Sequence, residues 1–339
     1  MDIKERSEFY KGMLALKQGE NGVVPVRFTD QAMEAYYAVK SEAFRLRAMS
    51  PAGIFLDMET DAKAIRIDFD VLGAARPFAD FGLVVDGVVQ PAESNPLSQT
   101  GPLPKRLSLS SQFSFDGHRH HIELFLPHLV ELELRAVELA DANYANPVPE
   151  RKRLLFAFGD SITQGMTVQN PYCTYPVLLA RALGMELRNF GVGGGVYHEG
   201  VLGAYPRKPD LITVAFGVND WVIQPSMRQF EKTCRDFFER FHEMYSGIPS
   251  YIVTPFWHLK EREANAIGTL EELRRKVTEI CADYDVTDCF QGNQLIPSDP
   301  AYFADGMIHP NGEGFAHIAL QMFSRIKNVR MKKNGKYKK

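Results

Sequence analysis

Alternating apolar and polar residues mark the first part of the chain as β-rich. In AIRIDFDV, one face of a strand would carry only apolar side chains, namely Ile65, Ile67, Phe69 and Val71. The same alternation recurs in RLSLSSQFSF and VELELRAVEL, and Asp-Gly pairs at 86–87 and 116–117 predict hairpin turns. One stretch, roughly Asp30 to Arg47, has a helical pattern instead. We therefore predict an antiparallel β-sandwich over residues 1–145 and a linker at 146–152.

From residue 153 the pattern changes to strands that alternate with amphipathic helices. The strand candidates are RLLFAFG, ELRNFG, LITVAFG, SYIVTPF and VTDCF, and the helix candidates include TYPVLLARALG, MRQFEKTCRDFFERFHEMY and LEELRRKVTEICADY. This alternation predicts a parallel sheet between two helical layers, a flavodoxin-like α/β/α domain over residues 153–327. A basic C-terminal tail, 328–339, lacks apolar periodicity and is expected to be solvated. Ligands of such sheets bind beyond the carboxyl ends of the strands.

Composition narrows the function classes. The 339 residues carry a net charge of −3, which gives no reason to expect a nucleic-acid or membrane partner. Four scattered cysteines without a C-x-x-C pair argue against a zinc site, and the N-terminus lacks a signal-peptide pattern. We expect a cytoplasmic protein without metal or cofactor, with a small-molecule or oligosaccharide ester as its partner. Whether the protein forms a homo-oligomer is left open.

Four loops at predicted strand ends carry candidate chemistry. GDSITQG contains Ser161, which is either a nucleophile or an ordinary helix-capping serine. NFGVGGG offers backbone N–H groups to an anion, but it matches neither the Walker nor the dinucleotide glycine pattern. FGVND places Asn219 just past a strand as a side-chain amide donor. FADGMIHPNGEGF holds Asp305 and His309 before the last helix, in the order expected for an acid and a base.

Together, GDSITQG, NFGVGGG, FGVND and DGMIHPN resemble the SGNH branch of the GDSL esterase and lipase family. The resemblance implies Ser161 as the nucleophile and His309 as the general base, oriented by Asp305. It implies an oxyanion hole formed by the Ser161 N–H, Gly194 and the Asn219 side chain. One departure concerns the acid, because the family pattern is D-x-x-H and here three residues separate Asp305 from His309. Either a bulged turn absorbs the extra residue, or a backbone carbonyl orients the imidazole.

The first half resembles the jelly-roll-like module that precedes the SGNH domain in carbohydrate esterase family 2 and related bacterial esterases. This resemblance rests on HHIELFLPHLVELELRAVELAD and its junction with KRLLFAFGDSITQG. It implies a serine esterase acting on short-chain, chiefly acetyl, esters of carbohydrates. The alternatives are a thioesterase or lysophospholipase-type lipolytic enzyme of the same fold, and a non-catalytic carbohydrate-binding protein.

Weaker candidates concern the substrate pocket and metal binding. Aromatic and imidazole side chains near the four loops could contact substrate, namely Trp221, Trp257, Tyr172 and His198. Past a hairpin turn, His118 and His120 would share one face of a strand and could bind metal, although a solvated strand end is the favoured interpretation.

Overall fold

A computed structural model describes residues 1–38 and 41–333 and contains two antiparallel sheets followed by a parallel one. The strands of the first half are β1 (Tyr10–Lys11), β2 (Ala15–Gln18), β3 (Val23–Val26), β4 (Phe55–Thr60), β5 (Ala64–Ala74), β6 (Gly82–Val85), β7 (Val88–Val89), β8 (Gly101–Ser114), β9 (His120–Phe125), β10 (Val130–Ala140) and β11 (Ala145–Pro147). One sheet has the order β1-β4-β9-β6-β7 with β11 beside β4, and the other has the order β2-β3-β10-β5-β8. These sheets confirm the predicted β-sandwich.

The sandwich follows from the predicted alternation. The four apolar side chains of β5, Ile65, Ile67, Phe69 and Val71, are fully buried in the core of the sandwich. Asp86 and Gly87 have positive φ angles of 50° and 81°, which suits the tight hairpin between β6 and β7. β11 pairs with β4, so sandwich pairing continues to Pro147, within the segment that the sequence predicts as a linker.

The second half contains the predicted parallel sheet. Its strands are β12 (Leu154–Gly159), β13 (Glu186–Gly191), β14 (Leu211–Ala215), β15 (Ser250–Val253) and β16 (Asp288–Phe290), in the order β13-β12-β14-β15-β16. Each coincides with a predicted strand, and β12 is completely buried. Because β13 and β14 both flank β12, the loops that follow these three strands meet at one edge of the sheet.

The helices are α1 (Asp30–Ala38), α2 (Glu42–Met49), α3 (Ser161–Gln164), α4 (Tyr175–Leu183), α5 (Val218–Ile223), α6 (Met227–Tyr245), α7 (Leu270–Cys281) and α8 (Gly312–Lys333). The last helix extends through Lys333, into the predicted basic tail, and residues 334–339 of that tail lie outside the described residues. In the described part of the chain, no helix is long and apolar enough to cross a membrane.

Arg27 joins the two halves of the chain. Its side chain is 2% exposed and its guanidinium donates to five backbone carbonyls. Two of these belong to the end of β13, at Asn189 and Gly191, and three belong to the C-terminal end of α2 and its cap, at Arg47, Ala48 and Ser50. This arginine therefore holds α2, a helix of the first half, against the sheet edge where the loops meet.

Candidate active site

Ser161 is the first residue of α3, immediately after β12. The preceding residue, Asp160, caps this helix, because its Oδ1 accepts the N–H of Ile162 at 2.9 Å. The Ser161 hydroxyl lies instead 3.1 Å from Nε2 of His309 and is not the capping group. Gly191 allows α3 to come this close to β13, because a Cβ at that position would lie 2.3 Å from the backbone nitrogen of Gln164. Ser161 is 6% exposed and therefore lies at the floor of the site.

The loop between Phe303 and Pro310 brings Asp305 onto the imidazole of His309. The Asp305 Oδ2 lies 2.6 Å from Nδ1 of His309. Its Oδ1 accepts the backbone N–H groups of Met307, Ile308 and His309 at 2.9, 2.8 and 3.1 Å. The turn wraps around the carboxylate and so absorbs the extra residue between acid and histidine. The side chains of Ser161, His309 and Asp305 thus form one hydrogen-bonded chain.

Burial and hydrogen bonding act in opposite directions on the carboxyl groups near Ser161. Burial would raise the pKa of Asp305, but the His309 ring and the three backbone N–H groups together bring it well below its usual value. Asp305 is therefore ionised at neutral pH. Burial raises the pKa of both Asp160 and Asp220 to about 7. Such carboxyls are partly protonated near neutral pH, which limits the negative charge around Ser161.

The glycine loop after β13 is held from two sides. The Gln164 Oε1 accepts the N–H of Gly193 at 2.7 Å, and Arg47 Nη1 donates to the Gly193 carbonyl at 3.0 Å. Gly194 has φ = +86° at the corner of a turn closed by the Gly195 N–H and the Val192 carbonyl, a conformation that favours glycine. Its own N–H has no hydrogen-bond acceptor among the described residues. That N–H belongs to the same peptide group as the Gly193 carbonyl, so the contacts of Gly193 fix its direction.

Asn219 lies in the first turn of α5, next to the glycine loop. Its Nδ2 donates one hydrogen bond to the Gly195 carbonyl at 2.9 Å, which orients the amide and leaves its second N–H without an acceptor in the described chain. Gly194 and Asn219 also line one cavity. The structure thus brings five predicted site residues to one edge of the sheet: Ser161, Gly194, Asn219, Asp305 and His309.

Two of the predicted substrate-contacting residues, Trp221 and Trp257, are buried in the core. Trp221 is 5% exposed, and its indole N–H donates to the Gly268 carbonyl at 2.8 Å. Trp257 is 7% exposed and packs on Phe303, with ring centroids 4.7 Å apart. Both tryptophans are core residues and cannot stack on a sugar, so those predictions are corrected.

The other two residues predicted to contact substrate, Tyr172 and His198, lie in different places. Tyr172 is half-buried against the sandwich, where its ring meets Phe125 edge-on and lies under the Arg181 guanidinium, and its contact with substrate stays a prediction. His198 does line the cavity beside Gly194 and Asn219, and its Nδ1 accepts the N–H of Gly200 at 3.0 Å.

Sequence reasoning missed the residues that support the site from a distance. Gln164 is such a residue: within the GDSITQG motif nothing marks it as a support, yet its Nε2 also donates to the Arg47 carbonyl at 3.0 Å. Phe44 and Arg47 belong to α2, which interrupts the sandwich pattern and gave no chemical signal. The helical pattern between the sandwich strands is the one sequence signal for this role, because a helix inserted there has to pack against another part of the protein.

Possible metal ligands occur in the sandwich, away from these loops. The side chains of Asp57, His121 and Glu123 bring ligand atoms within 4.8 Å of one another. The Asp57 Oδ1 already pairs with His121 Nε2 at 2.7 Å, and Arg181 forms an ion pair with Glu123. The cationic Arg181 opposes the binding of a further cation. His120 has both ring nitrogens paired, with Asp86 and Asp116, so it has no free position for the suggested metal.

Comparisons with known proteins support the fold of this chain. Residues 157–317 match the model of the GDSL-like lipase/acylhydrolase family. A salicylyl-acyltransferase from a tetracycline biosynthetic pathway is similar, with 19% identity, a TM-score of 0.73 and 94% of each chain covered. A Bacteroides ovatus protein described as a GDSL-like lipase has 17% identity, a TM-score of 0.74 and 97% coverage of each chain. The acetyl xylan esterase of the rumen bacterium Butyrivibrio proteoclasticus has 16% identity and a TM-score of 0.60, over 97% of this chain and 98% of its own. These structures share the two-part fold, and no curated protein sequence matches the chain.

Proposed function

We propose that this chain, whose residues 157–317 belong to the GDSL-like lipase/acylhydrolase family, is a serine ester hydrolase that acts through an acyl-enzyme at Ser161. The observation that carries the proposal is the hydrogen-bonded chain from Ser161 Oγ through His309 to Asp305, at 3.1 and 2.6 Å. A fluorophosphonate probe tests it, because such probes react with activated serines. Labelling confined to a peptide containing Ser161 would support the proposal, and no labelling would argue for a carbohydrate-binding protein instead.

The arrangement supports a two-step acyl transfer. Nε2 of His309 accepts the Ser161 proton while the serine oxygen attacks the ester carbonyl. The oxyanion is then stabilised by the N–H groups of Ser161 and Gly194 and the free amide N–H of Asn219, each worth about 3 kcal/mol in comparable sites. His309 next protonates the leaving alcohol, and water repeats the sequence on the acyl-enzyme. The ionised Asp305 holds the imidazole in the tautomer whose Nε2 can accept a proton.

Asp305→Asn is expected to lower kcat by about 10³- to 10⁴-fold with the fold intact. An asparagine oxygen can still accept the three loop N–H groups, but its amide would donate to Nδ1 of His309. The imidazole would then carry its proton on Nε2 and could not accept one from Ser161. The measurement is kcat with p-nitrophenyl esters, together with melting temperature.

Asp299→Asn is the matched control, since Asp299 is exposed and its Oδ1 only caps the short turn at Ala301. If Asp305→Asn kept activity within about tenfold of wild type, the Ser-His dyad with a backbone-oriented imidazole would be the better description.

The cavity beside the oxyanion donors supports an acyl group larger than acetyl. It measures about 350 Å³, and its apolar wall comes from both halves of the chain. The apolar side chains of the wall are those of Ala35, Tyr36, Phe44, Val196, Val201, Phe216 and Ile223. Sequence resemblance favours acetyl, and the fold shared with carbohydrate esterases supports that choice. The volume of this cavity lies at the lower end of the range typical of ligand pockets. A two-carbon acyl group would leave most of it filled with water.

Exposed apolar side chains near the same loops also favour the larger acyl group. Val222 and Ile223 follow Asn219 on α5 and are 65% and 62% exposed. Leu259 is 54% exposed and donates its N–H to the Met307 carbonyl, in the loop between Asp305 and His309. Exposed apolar side chains beside a binding site provide surface for an apolar ligand. A lipolytic or thioesterase-type substrate is therefore the second candidate, within the same chemistry.

Phe44→Ala is expected to shift the preferred acyl length upward. The Phe44 ring covers Gly194 closely, since a Cβ on that glycine would lie 3.1 Å from it. Truncation extends the cavity at its inner wall, so kcat/KM for octanoate relative to butyrate should rise by roughly tenfold. We expect the wild type to prefer butyrate or hexanoate over acetate.

Phe115→Ala, on the partly buried edge of the sandwich core, controls for general loss of an aromatic side chain. If the wild type prefers acetate esters and Phe44→Ala keeps this preference, the protein would be better described as an acetylesterase. The cytoplasmic location and the absence of nucleic-acid and membrane partners stay predictions.

A further inference from the structure

Two arginines of the first half face the candidate site without an acidic partner. Arg47 lies on α2, and its Nη1 donates to the Gly193 carbonyl at 3.0 Å. Arg76 follows β5, and its Nη1 donates to the Ala75 carbonyl at 2.9 Å. Both are half-buried, and neither forms an ion pair with a residue in the described ranges. Because a guanidinium has five N–H donors, most donors of these two groups have no protein acceptor.

Several other half-buried or buried arginines in this chain are paired with an acidic side chain, and the buried Arg27 has five carbonyl acceptors instead. Arg45 binds Glu131 through two hydrogen bonds of 2.8 and 2.7 Å, and Arg274 binds Glu261 at 2.7 Å. Arg181 pairs with Glu123. Removing a charge from water without a counterion is costly, so an unpaired, half-buried guanidinium indicates either solvent or a ligand beside it.

Backbone contacts and charge locate Arg76 beside the catalytic loops. The Ala75 N–H donates to the Leu129 carbonyl, and the neighbouring His128 ring pairs with the Gly165 carbonyl at the end of α3. Burial lowers the pKa of Arg76, and the charge of Asp305 opposes this effect. Burial, and then the charge of Arg76, lower the pKa of Arg47. By their hydrogen bonds, Arg76 belongs to a segment next to the end of α3, and Arg47 lies against the glycine loop after β13, so both arginines lie near the loops at this edge of the sheet.

We propose that Arg47 and Arg76 bind an anionic group, a carboxylate or a phosphate, on the alcohol part of the ester. The inference rests on the proposed function and specifies its substrate. The apolar cavity lies on the Phe44 side of Gly194 and would hold the acyl group. Arg76 adjoins the end of α3, the helix that begins with Ser161, and so lies on the side of the site away from the Phe44 cavity. Guanidinium groups bind planar carboxylates and phosphates through paired hydrogen bonds, which suits this placement.

The test compares esters with the same acyl group and different alcohols. We choose 3-carboxyphenyl butyrate, 3-(phosphonooxy)phenyl butyrate and the neutral isostere 3-carbamoylphenyl butyrate. Wild-type kcat/KM should favour at least one anionic ester over the neutral one by about 10- to 100-fold. The carboxylate and phosphate arms distinguish the two anions. In Arg76→Gln and Arg47→Gln this ratio should fall by at least about fivefold, with partial recovery in Arg76→Lys.

Arg119→Gln is the matched control, because Arg119 stacks on the Tyr144 ring at 3.6 Å and should leave the ratio unchanged. A ratio near one in the wild type, or an equal ratio in Arg76→Gln, would overturn the anion site while Ser161-dependent hydrolysis of the neutral ester still stood. If no ester were hydrolysed, the proposed function would fail separately. If the phosphate ester is the preferred one, inorganic phosphate should raise the melting temperature of the wild type more than that of Arg76→Gln, and equal shifts would then refute the site.

Discussion

Replacing Ser161 with alanine is expected to abolish ester hydrolysis without lowering stability. Loss of the nucleophile in a triad costs about 10⁶-fold in kcat in a well-studied protease, so residual turnover should fall to the background of the assay. We expect unchanged stability because Ser161 is not the residue that caps α3. Asp160, and not Ser161, accepts the Ile162 N–H, so the substitution removes only the hydrogen bond with His309. The measurements are initial rates with p-nitrophenyl butyrate, fluorophosphonate labelling and melting temperature.

Ser226→Ala provides the opposite control. Ser226 is exposed and caps α6 by accepting the Gln229 N–H with its hydroxyl at 3.3 Å. Its replacement should cost about 1 kcal/mol of stability and leave hydrolysis unchanged. The pair of variants therefore separates the two roles that a serine at a strand-to-helix turn can have. Wild-type rates or persistent labelling in Ser161→Ala would show that the reactive serine lies elsewhere.

The sequence predicted the strand ends well because each signal there is local. GDSITQG, FGVND and DGMIHPN are short, each follows a buried strand or precedes a helix, and the strand pattern brings them to one edge. The contact between Asp305 and His309 could not be predicted this way. It depends on a turn in which one carboxylate oxygen accepts three backbone N–H groups, and the spacing of letters does not show such a turn.

Contacts between the two halves could not be predicted from the sequence for a related reason. Arg27 lies 162 positions before Asn189 in the chain, and nothing near Arg27 in the sequence identifies its acceptors. Trp221 and Trp257 illustrate the opposite error. Their positions next to functional loops suggested substrate contact, but large aromatic side chains are buried more often than exposed, and here both pack in the cores beneath those loops.

Arg27→Met is expected to destabilise the protein by several kcal/mol and to impair catalysis in the molecules that remain folded. The substitution keeps an apolar stem of similar length but removes donors from five carbonyls. A buried polar group without a partner costs about 1–3 kcal/mol, and some of these carbonyls keep other partners, so we expect a total of about 3–5 kcal/mol. Burial lowers the pKa of Arg27 only to about 10, so the wild-type side chain is cationic at neutral pH.

Arg66→Met is the control, since Arg66 is half exposed on β5 and pairs with Asp68 at the surface. Exposed ion pairs of this kind contribute at most about 1 kcal/mol, so its melting temperature should stay close to that of the wild type. Arg27→Lys should recover only part of the loss, because an ammonium has three donors and lacks the planar fork that spans two chain segments. A wild-type melting temperature for Arg27→Met would refute this account of the junction.

The catalytic effect of Arg27→Met follows from the positions of Arg47 and Phe44 on α2. The guanidinium of Arg27 satisfies carbonyls at the C-terminal end of α2, where a positive charge is also favourable for the helix dipole. When that contact is lost, Arg47 no longer holds the Gly193–Gly194 peptide, and Phe44 no longer closes the acyl cavity. Both kcat and the acyl-length preference should therefore change in Arg27→Met, measured well below its melting temperature. A variant that loses stability but keeps the wild-type kcat and acyl profile would mean that the glycine loop keeps its shape through Gln164 alone.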